Sequence, residues 1–157
     1  MNGTDTLDST DSKIIQMLQK DGRLSNTFIA KQLEVSETTV RKRLNRLIEE
    51  EYIQIVAVSN PLKLGFEAVG ILKIRTDITK INDVFKALEK IKPVWFVVQT
   101  TGDADIHAEF VAPSIMALNE LINQHIYKID GVISAESSLI LNYIKRNYNW
   151  GTADSCK

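Results

Sequence analysis

The apolar pattern of this chain changes character once, near residue 52, and that change limits the architectures open to it. Residues 7–51 repeat their apolar side chains at helical spacing only, whereas residues 53–145 alternate strand-like and helical stretches. Such a pattern predicts a small all-helical module followed by a separate module of mixed strands and helices. Over 157 residues each module has little interior, so association with further copies would help to bury apolar surface.

The first module reads as three helices. One covers residues 8–20, with Asp8 as its cap, Asp11 in the favoured acidic first turn, and Ile14, Ile15 and Leu18 on one face. Asp21-Gly22 ends it. Ser25 caps a second helix whose apolar side is Ile29, Ala30 and Leu33. After a tight turn at Glu34-Val35, Ser36 caps a third helix running to about residue 50. Two helices joined this closely form a helix-turn-helix. At about 100° per residue, Val40, Leu44 and Leu47 of the third helix face inward. Thr38, Lys42 and Asn45 lie opposite, flanked by Thr39, Arg41 and Arg46. Arg43 falls nearer the buried edge, placed to bridge to a neighbour or to reach a phosphate from the side.

Charge supports a confined role for that helix. The net charge is −1, so the whole chain has no attraction for a polyanion. Residues 36–46, however, hold Arg41, Lys42, Arg43 and Arg46 against Glu37 alone. An α-helix fits the DNA major groove, where base edges present a readable pattern. Thr38, Lys42 and Asn45 have side chains that can read it. Arg41, Arg46 and Arg23 suit phosphates, which position a protein without specifying sequence. Ser36 and Thr39, at the helix start, complete the candidate DNA-facing set. Two-fold pairing would present two such helices to half-sites one helical turn apart, which predicts a roughly palindromic operator.

Residues 53–66 read as a linker containing a short strand, in which Ile53, Ile55 and Ala57 alternate with Gln54 and Val56 before Asn60-Pro61 and Gly65 break the pattern. Residues 67–145 then read β-α-β-β-α-β, with strands near 68–75, 94–100, 105–111 and 132–143 and helices over 79–91 and from 113 onward. This is the ferredoxin-like split motif, giving an α+β chain overall. Its sheet carries helices on one face, so the other must meet water, a ligand or a second subunit. Trp95 and Phe96 are adjacent and are expected on opposite faces, one under the helices and one in a dimer contact. Residues 1–6 and 151–157 read as loose ends, the latter closing a C-terminal tail over residues 146–157. Tyr143, Tyr148 and Trp150 are expected to cover an exposed edge or a neighbouring subunit.

Several function classes find no support. One cysteine, Cys156, supplies neither an internal disulfide nor a Cys-rich zinc site and fits a reducing cytoplasm. The polar start does not read as a signal peptide, and no apolar run approaches the ~20 residues needed to span a bilayer. There is no GxGxxG, GxxxxGK[ST] or HExxH motif. His107 and His125 read as surface or structural residues. The sequence predicts no catalytic residue, no metal site and no cofactor.

Over nearly its full length the chain resembles the Lrp/AsnC family, the leucine- and asparagine-responsive regulators of bacteria and archaea. The resemblance is carried by Leu7-Asp8 with Asp11 and Ile14, by Asp21-Gly22-Arg23-Leu24-Ser25, and by Ala30 and Leu33. It continues through Ser36, Val40, Arg43, Leu44 and Leu47, then Ile53 and Leu64-Gly65, and finally Gly102 with Asp105 and Gly131-Val132. It implies an N-terminal winged-type helix-turn-helix over residues 1–52 and a C-terminal ferredoxin-like domain that dimerises and senses an effector. It also implies homodimers that assemble to tetramers or octamers, and an amino acid or similar small molecule bound near the turn between strands two and three, at contacts between subunits.

That turn is Thr100, Thr101, Gly102, Asp103, Ala104 and Asp105. By itself it reads as a hairpin turn. With the resemblance it becomes the candidate effector site, its backbone N–H groups holding a carboxylate, Asp103 or Asp105 an amino group, and Ser137 reaching the same space. The sequence departs from the family pattern at four places. Glu51 stands where glycine is usual after the third helix, which bears on the helix exit. Ala104 replaces an aromatic, Asp130 a proline and Ala135 a hydroxyl residue, and these bear on the effector. The resulting expectation is a sequence-specific transcriptional regulator on double-stranded DNA, modulated by a small molecule. Two alternatives stand beside it: a haem-pathway decarboxylase-like enzyme on the same two-domain fold, and an architectural DNA-binding protein that responds to no ligand.

Overall fold

Each of the first three helices begins on a side-chain cap. In the computed structural model, which describes residues 7–149, α1 (Ser9–Lys20) opens on Asp8, whose carboxylate accepts the Asp11 N–H at 2.8 Å. Asp11 in return accepts the Asp8 N–H at 3.3 Å, a closed capping box. Ser25 caps α2 (Asn26–Leu33) through the Phe28 N–H, and Ser36 caps α3 (Glu37–Glu49) through the Thr39 N–H. The helix ends are equally defined. Glu34 takes a left-handed conformation (φ 55°) while the Val35 N–H reaches the Ala30 carbonyl. Glu51 does the same after α3 (φ 60°), with Tyr52 N–H on the Leu47 carbonyl and Glu51 N–H on that of Ile48. Glu51 therefore makes a glycine-type exit without being glycine, at a steric cost of about 1–2 kcal/mol.

The described residues divide into two compact units, one built from residues 7–58 together with 145–149, the other spanning Ser59–Ile144. In the first, Ile14, Ile29, Val40 and Leu47 are fully buried, with Ile15 and Ala30 beside them. Leu44, expected to share that interior, is half-buried. The short strand expected over residues 53–57 does not form. Its apolar alternation suits a strand, but the sheet among the described residues consists of four later strands, and none of them pairs with it. Ile55, Val56 and Val58 are left exposed. Tyr143 is half-buried and Tyr148 exposed, its hydroxyl accepting from Arg146. Trp150, Cys156 and residues 1–6 lie outside the described residues.

The second unit is a four-stranded antiparallel sheet. Its strands are β1 (Ala68–Thr76), β2 (Val94–Gln99), β3 (Ile106–Ala112) and β4 (Val132–Leu139), in the order β2-β3-β1-β4. This is the expected ferredoxin-like arrangement, with β1 central because it pairs on both sides. Helix α4 (Ile81–Leu88), entered through a short 3-10 turn at Ile78–Lys80, buries Ile81, Val84 and Leu88. Helix α5 (Ile115–Glu120) passes into a π-helical stretch, Leu121–Ile126. There the chain buries Leu121 and Ile126, five residues apart, a spacing that the wider π turn brings to one side. Together with Leu72, Ile74, Ile106 and Phe110 these side chains form one core.

One local feature differs from the sequence expectation. Trp95 and Phe96 are both exposed, at 59% and 42%, and their rings lie 5.8 Å apart. The register of β2 against β3 slips between Val94 and Phe96, so Trp95 is an extra residue in a β-bulge. Strict alternation fails there, and Val94 takes the buried position under the helices instead. At Gly70, a Cβ would stand 2.2 Å from the Ser138 carbonyl oxygen and 2.9 Å from the Phe110 ring, so only glycine lets β1 and β4 close.

Candidate nucleic-acid interface and effector turn

Helix α3 has one side sealed and one side open. Val40 and Leu47 are fully buried, while Thr38, Arg41, Lys42 and Asn45 are exposed. Arg41 and Lys42 make no ion pair among the described residues. Ser36 and Thr39 are partly committed to each other: their hydroxyls lie 2.7 Å apart at the helix cap. An open concavity is lined by Thr38, Thr39, Lys42, Asn45 and Arg46, joined by Asp8, Arg43 and Glu49. The structure thus gathers five of the eight candidate DNA contacts. Arg41 projects outside that lining, and Ser36 sits at the cap. Arg23 lies in the loop before α2, 93% exposed and 3.4 Å from the Asp21 carboxylate. The Arg23 backbone N–H, with its guanidinium, holds the Asp21 carboxyl below its ordinary range.

Arg43 bridges to neighbours, one of the two roles its position allowed, but sequence reasoning missed the ion network it joins beneath this surface. Asp11 is 1% exposed, and its two oxygens receive Arg43 Nη1 at 2.9 Å and Arg46 Nη2 at 2.5 Å. Arg43 Nη1 also reaches Asp8 at 2.6 Å. Burying a carboxylate is tolerable only when it is paired and hydrogen-bonded, and here two guanidinium groups and a backbone N–H supply that. Arg43 is raised above its ordinary value, first by Asp8 and then by Asp11. A signal was present in the spacing: two acids three residues apart on α1 match two arginines three apart on α3. Arg46, read as a phosphate contact, therefore presents to the concavity a guanidinium already seated on α1.

The candidate effector turn is locally well satisfied. Thr100 N–H donates to the Asp105 carbonyl, and the Thr100 hydroxyl to that of Ala104, each at 2.9 Å. Gly102 supplies the left-handed corner (φ 113°). The two carboxylates differ. Asp105 accepts the Thr76 N–H at 2.8 Å, where β1 slips register, so it helps to tie the turn to the sheet. Asp103 is exposed and paired with Lys73 at 2.7 Å, and that ammonium holds its carboxyl below the ordinary range. Ala104 is buried, whereas Thr101 and Gly102 face solvent. Ser137 stands opposite Leu72 on β4, and Leu72 in turn faces Ala108 on β3. Two strand spacings, about 10 Å, thus separate it from the strand that carries the turn. Within one chain Ser137 and the turn are not brought together.

The other candidate positions are accounted for locally. Asp130 receives Lys80 at 2.7 Å, and Ala135 is half-buried, bonded through its carbonyl to the Tyr127 hydroxyl. His107 is half-buried on β3, His125 exposed in the π turn. No helix of the described residues is long and apolar enough to cross a membrane.

Two family models match this chain: one described as winged helix-turn-helix DNA-binding over residues 7–54, the other as the Lrp/AsnC ligand binding domain over residues 69–150. An uncharacterised HTH-type transcriptional regulator of Pyrococcus abyssi is 36% identical over 143 residues, 90% of each chain. The HTH-type transcriptional regulator LysM of Sulfurisphaera tokodaii is 34% identical over 135 residues, 86% of this chain and 95% of its own. The crystal structure of the leucine response regulatory protein of Mycobacterium tuberculosis superposes with a TM-score of 0.82 at 26% identity, covering 89% of this chain and 96% of its own. A transcriptional regulator of Neisseria meningitidis in complex with L-Met gives 0.81 at 24% identity, covering 95% and 99%.

Proposed function

We propose, for a chain that belongs to the Lrp/AsnC family of DNA-binding transcriptional regulators, that the open side of α3 reads DNA and that a small molecule of the amino-acid class modulates the outcome. The observation that carries this reading is the two-sidedness of α3. Val40 and Leu47 are sealed, which turns Thr38, Lys42 and Asn45 outward together. Thr38 offers a hydroxyl and a methyl, Lys42 a donor for guanine, and Asn45 a paired donor and acceptor for adenine. Arg41, Arg46 and Arg23 supply phosphate contacts. The exposed cations of α3 favour this reading over a decarboxylase on the same fold, and the protein is not read as an enzyme.

The sheet unit, in this reading, holds copies together as a homodimer that assembles further to a tetramer or octamer, and so fixes the spacing of two α3 helices. The protein acts in the cytoplasm. The effector binds at the turn of Thr100 to Asp105, where the carboxylate of Asp103 lies exposed and Gly102 bares its backbone. A neighbour of the same fold was solved with L-Met, which supports an amino acid as the class. Because Ser137 is remote from its own chain's turn, it contributes only through a second subunit. A ligand at such a contact biases assembly, and reciprocity requires DNA to alter ligand affinity by the same factor.

Footprinting of the assembled protein on a duplex selected from a random pool tests this. Two protected half-sites about one helical turn apart, or a multiple of it, are expected. Protection of a single half-site would overturn the reading.

A further inference from the structure

We infer that Asp8 occupies the seat of a DNA phosphate oxygen on Arg43, a built-in competitor that the nucleic-acid backbone must displace. The inference rests on the proposal that α3 faces DNA, and it assigns to Asp8 a role beyond capping α1.

Arg43 Nη1 donates to two carboxylates that differ sharply. Asp11 is 1% exposed and has both oxygens engaged, by Arg43, by Arg46 and by the Asp8 N–H. It is a permanent mount, because releasing either arginine would leave a charge unpaired in the interior. Asp8 is 49% exposed and shares the concavity with Thr38, Lys42 and Asn45. Its Oδ1 accepts the Asp11 N–H, while its Oδ2 holds Arg43 at 2.6 Å. The Asp11 N–H and Arg43 together hold the Asp8 carboxyl below its ordinary range, so it stays charged at neutral pH.

Carboxylate and phosphate oxygens are equivalent acceptors for a guanidinium. A phosphate arriving at the concavity can therefore replace Asp8 Oδ2 on Arg43 while Asp11 keeps the arginine in place. The cap survives the exchange, because it uses the other oxygen. Asp8 thus cancels one cation of the DNA-facing surface in the free protein and sets how much that surface gains from any backbone it meets. Asp11 is the positioning residue that makes a one-for-one exchange possible.

The test uses the full chain and a random-sequence duplex of about 40 bp, roughly four helical turns, titrated over a series of salt concentrations. Asp8→Asn keeps the capping oxygen and removes the charge. It is expected to bind about two- to fivefold tighter, with a plot of log affinity against log salt steeper by about 0.9. Asp8→Ser, another capping residue without charge, gives the same two changes, and thermal melts verify that each variant is folded. In an Arg43→Gln background the gain disappears; if that variant does not fold, Glu49→Gln decides, because it removes a charge from the same concavity without a bond to Arg43 among the described residues, and a gain equal to that of Asp8→Asn would overturn the inference. Unchanged affinity and slope would overturn the inference. So would a gain undiminished by Arg43→Gln, which would mean that Asp8 merely repels phosphates at a distance. A wild-type protein that binds no duplex at all would instead sink the DNA reading itself.

Discussion

Asp11→Ala is expected to destabilise the N-terminal unit by about 3 kcal/mol, the lower end of the cost of breaking a buried ion pair. The lower end applies because Arg43 and Arg46 keep 31% and 29% of their side-chain surface in water and are not fully stranded. The variant also removes the return arm of the capping box, which now accepts the Asp8 N–H. A module of about 50 residues has a stability of only a few kcal/mol, at roughly 0.05–0.15 kcal/mol per residue. The loss is therefore comparable with everything holding α1, α2 and α3 together. Hydrogen exchange resolved by segment is the appropriate measurement. Protection is expected to collapse across α1–α3 and to persist in β1–β4. A change below about 1 kcal/mol in the helical unit would show that Asp11 is dispensable.

Phe110→Ala is expected to cost the sheet unit about 3–5 kcal/mol, as large-to-small changes at fully buried aromatics do. Phe110 is the largest fully buried side chain of the molecule's described residues. Its ring lies against Gly70 of β1, close enough that a Cβ there would come within 2.9 Å. The cavity cannot be refilled by moving β1 inward, because that strand is bonded to β3 on one side and β4 on the other. Collapse of neighbours is therefore limited, which places the cost toward the upper end. Denaturant unfolding followed by a probe in the sheet unit checks this, and a midpoint close to wild type would contradict the packing described here.

Much of this arrangement was legible in the chain, and for identifiable reasons. Asp8, Ser25 and Ser36 announce helix starts because a side-chain oxygen satisfies a backbone N–H that the helix leaves orphaned. The faces of α3 follow from 3.6-residue geometry alone. Other features depend on partners distant in sequence or on counting that periodicity cannot do. The bulge at Trp95 inserts one residue into β2, and alternation assumes none is inserted. The π turn replaces a four-residue spacing by five, so Leu121 and Ile126 share the buried side in place of a pair four apart. Glu51 hides a left-handed turn behind a residue that rarely adopts one. The strand pattern of residues 53–57 describes a segment suited to pairing, but none of the described strands pairs with it. The link from Asp11 to Arg43 and Arg46 joins positions more than thirty residues apart, and only their matched spacing hinted at it.

The same limits apply to the candidate effector turn. The hairpin at Gly102 was readable from a Gly-Asp pair, and the ties of Asp105 to Thr76 and Asp103 to Lys73 explain its shape without any ligand. Ser137 could be assigned to that space only through the family resemblance, since β1 stands between its strand and β3, which carries the turn.

In the proposed function the outward side of α3 reads base edges. The most direct test compares wild type with Asn45→Ala on a duplex recovered by selection from a random pool and on an unrelated duplex at the same salt. Asn45 is exposed, so the variant leaves the helix packing intact. The expected result is a loss of about 1–3 kcal/mol on the selected duplex, or about 5- to 150-fold, with little change on the unrelated one. Equal affinity of wild type and variant on both duplexes, repeated for Thr38→Ala and Lys42→Ala, would contradict it.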